Sequence, residues 1–252
     1  MSVEIIQQGG LTIAAFDPSW LRLYAPPYGP GQTVPTGPSD VLAATGAQAA
    51  LNGPMFDGVP SDSNATYDVI DFLHYDPAGG ISLPGRNPNE GVTIWTDGTV
   101  AYASPGGQVP SNAVVAIQTY PTLVQGGASM VDTSVPSNGT AEWRAAIAIL
   151  ADGRVALAVG AMTMGQLAAA LIAAGATDAG YTDGSYSTAL ATPGGTTGPT
   201  PHRAVASWII AVPPDGSSTT PTMTTMAIPL VLTAVAVGIF WATTHMSPGR
   251  HP

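Results

Sequence analysis

Apolar and polar positions along the chain form a pattern that predicts several β-hairpins. In the clearest case two apolar runs, residues 146–150 and 155–159, flank an Asp-Gly pair at positions 152 and 153. Asp-Gly between two such runs is typical of a two-residue hairpin turn, because both turn residues adopt positive φ angles. The same reasoning predicts a second hairpin, formed by residues 92–95 and 99–102. It also predicts two strands within residues 3–16 and a last strand over residues 204–212.

One stretch has helical spacing instead. Leu167, Leu171 and Ile172 recur at intervals that place them on one face of a helix within an alanine-rich segment. Gly175 is positioned to end this helix, because glycine adopts the left-handed cap conformation at low cost. The pattern therefore predicts one well-defined helix after the 146–159 hairpin.

A second, shorter helix is predicted over residues 41–48, after a loop rich in proline and glycine. Ser39 or Asp40 would be its N-cap, since both side chains accept hydrogen bonds from free backbone N–H groups at a helix start. Many hairpins with few helices predict an α+β domain built around a largely antiparallel sheet. We assign residues 1–213 to this domain.

The segment after Gly175 predicts a turn that carries a carboxylate. Asp183, Gly184 and Ser185 lie eight to ten positions after Gly175. Such a turn presents one carboxylate beside hydroxyl groups and flexible backbone, so that a substrate can approach main-chain N–H groups. The alternative is an aspartate that only shapes the turn.

The C-terminal part of the chain has a different composition. Residues 226–242 contain no charged residue and a single hydroxyl, that of Thr233. Together with the threonines beside it, this run reaches the length needed to cross a bilayer. We predict a single transmembrane helix over residues 226–245, preceded by a Pro/Ser/Thr-rich linker, residues 214–225, and followed by a short tail, residues 246–252. A helix packed in a core or against a partner is the alternative.

The charges around this segment predict its orientation. His245, Arg250 and His251 follow the apolar run, and no basic residue lies shortly before it, so that the positive-inside rule favours a cytoplasmic C-terminus and a globular domain outside the cytoplasm. Residues 1–8 have neither the basic start nor the long apolar core of a signal peptide. We therefore expect a tail-anchored protein, insertion by another route, or a membrane component of a virion.

Composition excludes several classes of function. The chain of 252 residues has 6 basic and 16 acidic residues and a formal net charge of −10. Nucleic acid is not expected as a partner, because binding its phosphates needs clustered cations. The absence of cysteine excludes disulfides and thiolate metal sites. The aspartates between positions 57 and 76 do not have the spacing of a calcium loop, and we expect neither a metal nor another cofactor.

Several short motifs, in their order along the chain, resemble those of the phosphodiester glycosidase family, whose type member removes N-acetylglucosamine from a phosphodiester. The family has an Asn-Gly pair, an arginine that begins a hairpin, a Met-Thr pair before a helix, and a glycine-rich acidic turn. Here the Asn-Gly pair lies in residues 51–56, the arginine and the turn of the hairpin in 144–147 and 152–154, the Met-Thr pair at 162–163, and the acidic turn in 182–187. Residues 174–179, at the end of the helix, and residues 202–207, in the last strand, match the family as well. The resemblance covers residues 45–213 and implies a hydrolase that acts on a glycosyl phosphate or an envelope glycan.

The same resemblance implies a site at the Asp183 turn. Asp183 would transfer a proton or stabilise positive charge on the sugar, and Arg144 would bind the phosphate. The expected substrate-binding residues are Asn52, Arg203, Ser185, Ser187 and His202. Simpler alternatives remain, namely an arginine paired with an acidic neighbour, an asparagine that forms a turn, and an exposed histidine.

The chain departs from the family's pattern within this turn. Ser185 and Tyr186 stand in place of the second and third glycines, and Ser207 replaces an asparagine of the last strand. Side chains at these positions fill space that glycine leaves open and restrict left-handed backbone angles. Two hypotheses follow: a membrane-anchored hydrolase, or a catalytically degenerate relative that binds carbohydrate or has a structural role. A homo-oligomer or a larger assembly is compatible with both.

Overall fold

The computed structural model describes residues 2–25, 37–57, 69–70, 74–78, 80–83, 92–97, 99–103, 109–200, 205, 207–214 and 222–225. Its strands are β1 (Glu4–Gln8), β2 (Leu11–Phe16), β3 (Leu21–Tyr24), β4 (Ala49–Asn52), β5 (Phe56–Asp57), β6 (Val69–Ile70), β7 (His74–Asp76), β8 (Ile81–Leu83), β9 (Val92–Thr96), β10 (Val100–Ala103), β11 (Val115–Thr119), β12 (Thr122–Gln125), β13 (Ala128–Ser129), β14 (Glu142–Leu150), β15 (Val155–Met162), β16 (Ala176–Tyr181), β17 (Leu190–Thr192), β18 (Gly195–Thr197), β19 (Trp208–Ala211) and β20 (Thr222–Thr225). Its helices are α1 (Pro38–Thr45), α2 (Pro136–Gly139) and α3 (Met164–Ala173), with 3₁₀ turns at Pro18–Trp20 and Ser185–Ser187.

The largest sheet has eight strands in the order β13-β12-β16-β14-β15-β2-β1-β20. All of its pairs are antiparallel except β1 with β20, which run parallel. Two five-stranded antiparallel sheets accompany it, with the orders β10-β9-β11-β7-β8 and β18-β17-β4-β19-β3, and β5 pairs with β6. The described part of the chain is therefore built mostly of antiparallel sheets with few helices, which confirms that part of the predicted fold class.

The central strands of the large sheet are buried on both faces. Alternate residues of β14 belong to different apolar clusters: Ala145 and Ile147 pack with residues of the smaller sheets, whereas Ala146 and Ala148 pack with α3. Successive side chains of a strand point to opposite faces, so that a strand covered on both sides needs a continuous apolar run. This explains why β14 is apolar at nearly every position.

Helix α3 is positioned by its own sequence signals. Thr163 is the N-cap and accepts a hydrogen bond from the Gln166 N–H, while the Gln166 side chain accepts one from the Thr163 N–H. Leu167 and Leu171 are fully buried against the large sheet. Gly175 follows the helix with a φ of +94°, as predicted for its end. The cap and the buried face fix where the next strand, β16, begins.

The predicted hairpins are confirmed for β14 with β15, β9 with β10, and β1 with β2. Helix α1 differs from its predicted bounds, since it spans Pro38–Thr45 between the capping residues Gly37 and Gly46. Pro38 is its first residue and needs no N–H partner there, so the helix starts earlier than a cap at Ser39 or Asp40 would place it. Gly46, with a φ of +70°, ends it before residue 48.

The C-terminal predictions fall largely beyond the described residues. Thr222–Thr225, within the predicted linker, form β20 beside β1, with Glu4 opposite Thr222 and Gln7 opposite Thr225. The predicted transmembrane segment, residues 226–245, and the tail lie outside the described residues. In the part of the chain that is described, no helix combines the length and the apolar character needed to cross a membrane.

Candidate active site

Asn52 joins the end of β4 to the turn that carries Asp183. Its Nδ2 donates to the Asp183 carbonyl at 2.6 Å and to the Gly53 carbonyl at 3.3 Å, and its Oδ1 accepts from the Ala189 N–H at 3.0 Å. The residue is fully buried. Both ends of the amide therefore bind backbone groups, and the contacts favour a role in positioning the turn.

Gly53 continues this connection through its backbone. Its N–H donates to the Ser207 carbonyl at 2.8 Å, and its carbonyl accepts from the Asp183 N–H at 3.2 Å. Asn52 also lies opposite Trp208 in the sheet. Three segments that are distant in sequence thus meet at the Asp183 turn.

The Asp183 carboxylate is oriented within its own turn. It is partly exposed, and its Oδ1 accepts a hydrogen bond from the Gly184 N–H at 2.9 Å. An aspartate that accepts a bond from the next turn residue has a restricted rotamer. The carboxylate therefore helps to shape the turn, and the residue that bears it is only partly buried.

Arg144 lies near the start of β14, and its side chain is 5% exposed. Its Nη2 donates to the Ser137 carbonyl at 3.0 Å and to the Thr140 carbonyl at 3.1 Å, and pairs with the Glu142 carboxylate at 2.8 Å. These contacts favour the alternative of an arginine paired with an acidic neighbour. Glu142, whose side chain is 38% exposed, was not singled out by sequence motifs.

Tyr181, the last residue of β16, connects Arg144 to the turn. Arg144 Nη1 lies 3.4 Å from the Tyr181 hydroxyl, and the guanidinium carbon lies 5.6 Å from the ring centroid, within the range of a cation–π contact. Burial raises the pKa of Tyr181, the Arg144 guanidinium opposes this rise, and the negative charges of Asp183 and Glu142 add to it. Tyr181 is a site residue that sequence reasoning missed, because no motif marks a tyrosine at a strand end.

Gly184 fits against Tyr181 only because it lacks a side chain. A Cβ at this position would overlap the Tyr181 hydroxyl, and would stand 2.8 Å from its Cζ and 3.2 Å from the Trp143 carbonyl oxygen. The first glycine of the turn is therefore required by packing, whereas the two following positions tolerate side chains.

Ser185, Tyr186 and Ser187 form the 3₁₀ turn after Gly184. Ser185 has a φ of +55°, so it keeps the left-handed conformation that glycine adopts more easily. Tyr186 is 65% exposed, whereas Ser187 is 2% exposed. The side chain of Ser185 therefore restricts the left-handed backbone at this position without preventing it.

Several buried polar atoms near this turn have no hydrogen-bond partner among the described residues. They are the hydroxyls of Thr182, Ser187, Thr188 and Ser207 and the indole N–H of Trp208. Leaving a buried polar atom unpaired costs about 1–3 kcal/mol, and native proteins usually satisfy such atoms with protein groups or ordered water. All five atoms belong to residues 182–188 or 207–208, which are two of the segments that meet at the Asp183 turn.

The structure brings Asn52 and Asp183 into direct contact and connects Arg144 to them through Tyr181 and Gly184. His202 and Arg203 lie outside the described residues. Among the residues described, no group of three acidic or histidine side chains could hold a metal ion. Asp76, one of the aspartates considered for calcium, is buried and accepts a hydrogen bond from the Leu23 N–H.

Comparison with known families decides the classification. Residues 45–212 match the family described as phosphodiester glycosidase. The chain belongs to the phosphodiester glycosidase family. No curated protein matches it.

Two solved structures have a fold similar to that of this chain. The catalytic domain of zebrafish N-acetylglucosamine-1-phosphodiester α-N-acetylglucosaminidase, auto-inhibited by its pro-peptide, superposes with a TM-score of 0.60 at 14% identity, over 81% of this chain and 78% of that one. A protein of Burkholderia pseudomallei described as exported gives a TM-score of 0.50 at 14% identity, over 81% and 74% of the two chains. At such low identity these likenesses concern the fold alone.

Proposed function

We propose that the domain hydrolyses a glycosyl phosphodiester or a related envelope glycan, with Asp183 as the group that transfers a proton. The supporting observation is that Asp183 is a partly exposed residue on a turn held by Asn52, Gly53 and Gly184. A catalytic carboxylate must be both reachable by substrate and fixed in orientation. The zebrafish enzyme, named for an N-acetylglucosamine-1-phosphodiester, suggests the first substrate to test.

Hydrolysis of such a bond adds water across the glycosidic C–O bond, giving a free sugar and a phosphate monoester. A carboxyl group can protonate the departing phosphate oxygen or activate the water, and a negative charge nearby stabilises the oxocarbenium-like transition state. Asp183 is assigned the proton transfer. Arg144, whose guanidinium binds Glu142 and Tyr181, is assigned to positioning the site.

The phosphate group requires cationic or N–H donors. Arg203 and His202 remain the sequence-based candidates for this task, because a guanidinium binds a phosphate bidentately and a histidine can change its charge near neutral pH. Ser185 is exposed beside Asp183 and offers a hydroxyl to the substrate. The Ser187 hydroxyl, buried and unpartnered among the described residues, would contribute only if the turn opens.

A membrane anchor is the second part of the proposal. The apolar segment of residues 226–245 would hold the domain at a membrane as a single-pass C-terminal helix, with the domain outside the cytoplasm or within a virion. Attachment of this kind would direct the enzyme towards glycans at a membrane or envelope surface.

A degenerate, carbohydrate-binding or structural relative is the second candidate. Two observations favour it: side chains occupy positions 185 and 186 of the turn, and protein groups already surround the Arg144 guanidinium. This candidate retains the fold and the sugar-binding surface while catalysis is lost.

The decisive experiment compares Asp183→Asn with Asp178→Asn. Asp178 lies on the preceding strand and also accepts a hydrogen bond from a backbone N–H, that of Gly126, at 3.2 Å. On the methyl phosphodiester of N-acetylglucosamine-1-phosphate, Asp183→Asn should lose at least about 10²-fold in kcat, the scale of general acid–base catalysis, while Asp178→Asn should behave as wild type. Wild-type protein that binds the ester without hydrolysing it would favour the degenerate relative.

A further inference from the structure

Tyr186 is the most exposed large apolar side chain among the described residues, at 65%. It lies three positions after Asp183, within the 3₁₀ turn Ser185–Ser187. The neighbouring residue Ser187 is buried. The turn that follows the candidate carboxylate therefore exposes one aromatic side chain to solvent.

Two backbone hydrogen bonds fix the turn that carries Tyr186. The Ser187 N–H donates to the Gly184 carbonyl at 3.1 Å, and the Thr188 N–H donates to the Ser185 carbonyl at 3.2 Å. Ser185 has the positive φ of +55°, a conformation that costs energy in a residue other than glycine and that persists where surrounding contacts impose it. A tyrosine in such a turn loses little additional freedom when a ligand binds, since only two side-chain torsions remain to be fixed.

We propose that Tyr186 is an aromatic platform on which a sugar ring of the substrate stacks beside Asp183. The face of an aromatic ring is electronegative, and one face of a pyranose ring presents weakly positive C–H groups, so that stacking buries apolar surface on both. The phenol hydroxyl remains in water. The inference rests on the proposed glycoside substrate and adds the residue that selects for a sugar ring rather than for phosphate alone.

Tyr186 is 65% exposed, so that its ring is open to a ligand as well as to solvent. Tyr186 therefore contributes to ground-state binding of the sugar and leaves the chemistry to other groups. Loss of such uniform binding raises KM and leaves kcat unchanged.

The test uses the full chain and three variants: Tyr186→Ala, Tyr186→Phe and Met130→Ala. Phenylalanine keeps the ring and removes the hydroxyl, and Met130, which is 51% exposed, controls for loss of a surface apolar group. With the N-acetylglucosamine phosphodiester, Tyr186→Ala should raise KM about tenfold at unchanged kcat, whereas the other two variants should match wild type. Binding of dimethyl phosphate, which has no sugar ring, should be the same in all four proteins.

Saturation-transfer NMR with the same phosphodiester detects binding even if the protein does not hydrolyse the ester. It therefore distinguishes failure of the aromatic platform from failure of the proposed hydrolase activity. If wild type hydrolyses the ester and Tyr186→Ala has unchanged or lower KM, the platform is refuted and the hydrolase stands. If wild type is inactive but transfers saturation to the sugar protons, and Tyr186→Ala alone loses this transfer, the platform stands and the hydrolase is refuted. A wild-type protein that neither binds nor hydrolyses the ester refutes both.

Discussion

The Tyr181 hydroxyl occupies the space that a Cβ atom would need at residue 184. Because the two residues lie on either side of Asp183 in the sequence, this close approach fixes the backbone on which the candidate carboxylate is carried. It also separates the roles of the three positions of the turn, since residue 184 must be glycine whereas 185 and 186 carry side chains.

Gly184→Ala is expected to destabilise the fold by about 1–3 kcal/mol, the usual cost of overpacking a filled site, measured by urea unfolding. Adding Tyr181→Phe should recover part of this loss, because it removes the hydroxyl but leaves Cζ 2.8 Å from the new Cβ. Gly165→Ala is the matched control, since its Cβ would have no neighbour closer than Thr133 Cγ2 at 3.9 Å and should be neutral or slightly stabilising. Equal stabilities of the two alanine variants would contradict the packing argument.

Local sequence signals predicted much of this fold. The Asp152 and Gly153 pair marked the β14–β15 hairpin, and the spacing of Leu167 and Leu171 marked α3, because hairpin turns and helix faces depend on residues close in sequence. The order in which strands form sheets depends on contacts between distant segments. No local pattern indicates, for example, that β4 lies between β17 and β19.

The candidate site was likewise only partly predictable from the sequence. Motif order marked Asn52, Arg144 and Asp183 as a set, but could not distinguish side chains that meet substrate from side chains that bind protein groups. That distinction requires partners such as the Ala189 N–H for Asn52 and Glu142 for Arg144, and the partner of Asn52 is 137 positions away. Tyr181 was missed for the same reason, since its importance comes from contact with Gly184 and Arg144.

Asn52→Ala should cost about 2–4 kcal/mol in urea unfolding, because it leaves the part-buried Asp183 carbonyl and the buried Ala189 N–H without their partner. Asn138→Ala is the control: its Nδ2 also donates to a backbone carbonyl, that of Asp132 at 2.7 Å, but the bond is exposed to solvent. Water can replace that partner, so the cost should stay below about 1 kcal/mol. Similar losses in both variants would show that Asn52 does not hold the turn.

Thr188→Val should leave stability unchanged or raise it by up to about 1 kcal/mol. The Thr188 hydroxyl is buried and has no hydrogen-bond partner among the described residues, so an isosteric methyl group removes an unpaired polar atom. Thr163→Val is the comparison, because that hydroxyl caps α3 and its loss should cost about 1 kcal/mol. A clear loss of stability in Thr188→Val would instead indicate an ordered water bound to the hydroxyl.

Two truncations separate the membrane segment from the edge of the large sheet. A chain ending at Thr225 keeps β20 beside β1, whereas a chain ending at Pro214 removes it. Both lack the apolar segment of residues 226–245, so both should move from the membrane fraction of expressing cells to the soluble fraction if that segment is the anchor.

The two truncated chains should differ in association. Without β20, the backbone N–H and C=O groups along one side of β1 lose their partners, and an unpaired strand edge promotes pairing between molecules. Light scattering at increasing concentration should therefore show more self-association for the chain ending at Pro214 than for the chain ending at Thr225. Equal behaviour of the two would contradict a protective role of β20, and retention of both in the membrane fraction would exclude residues 226–245 as the sole anchor.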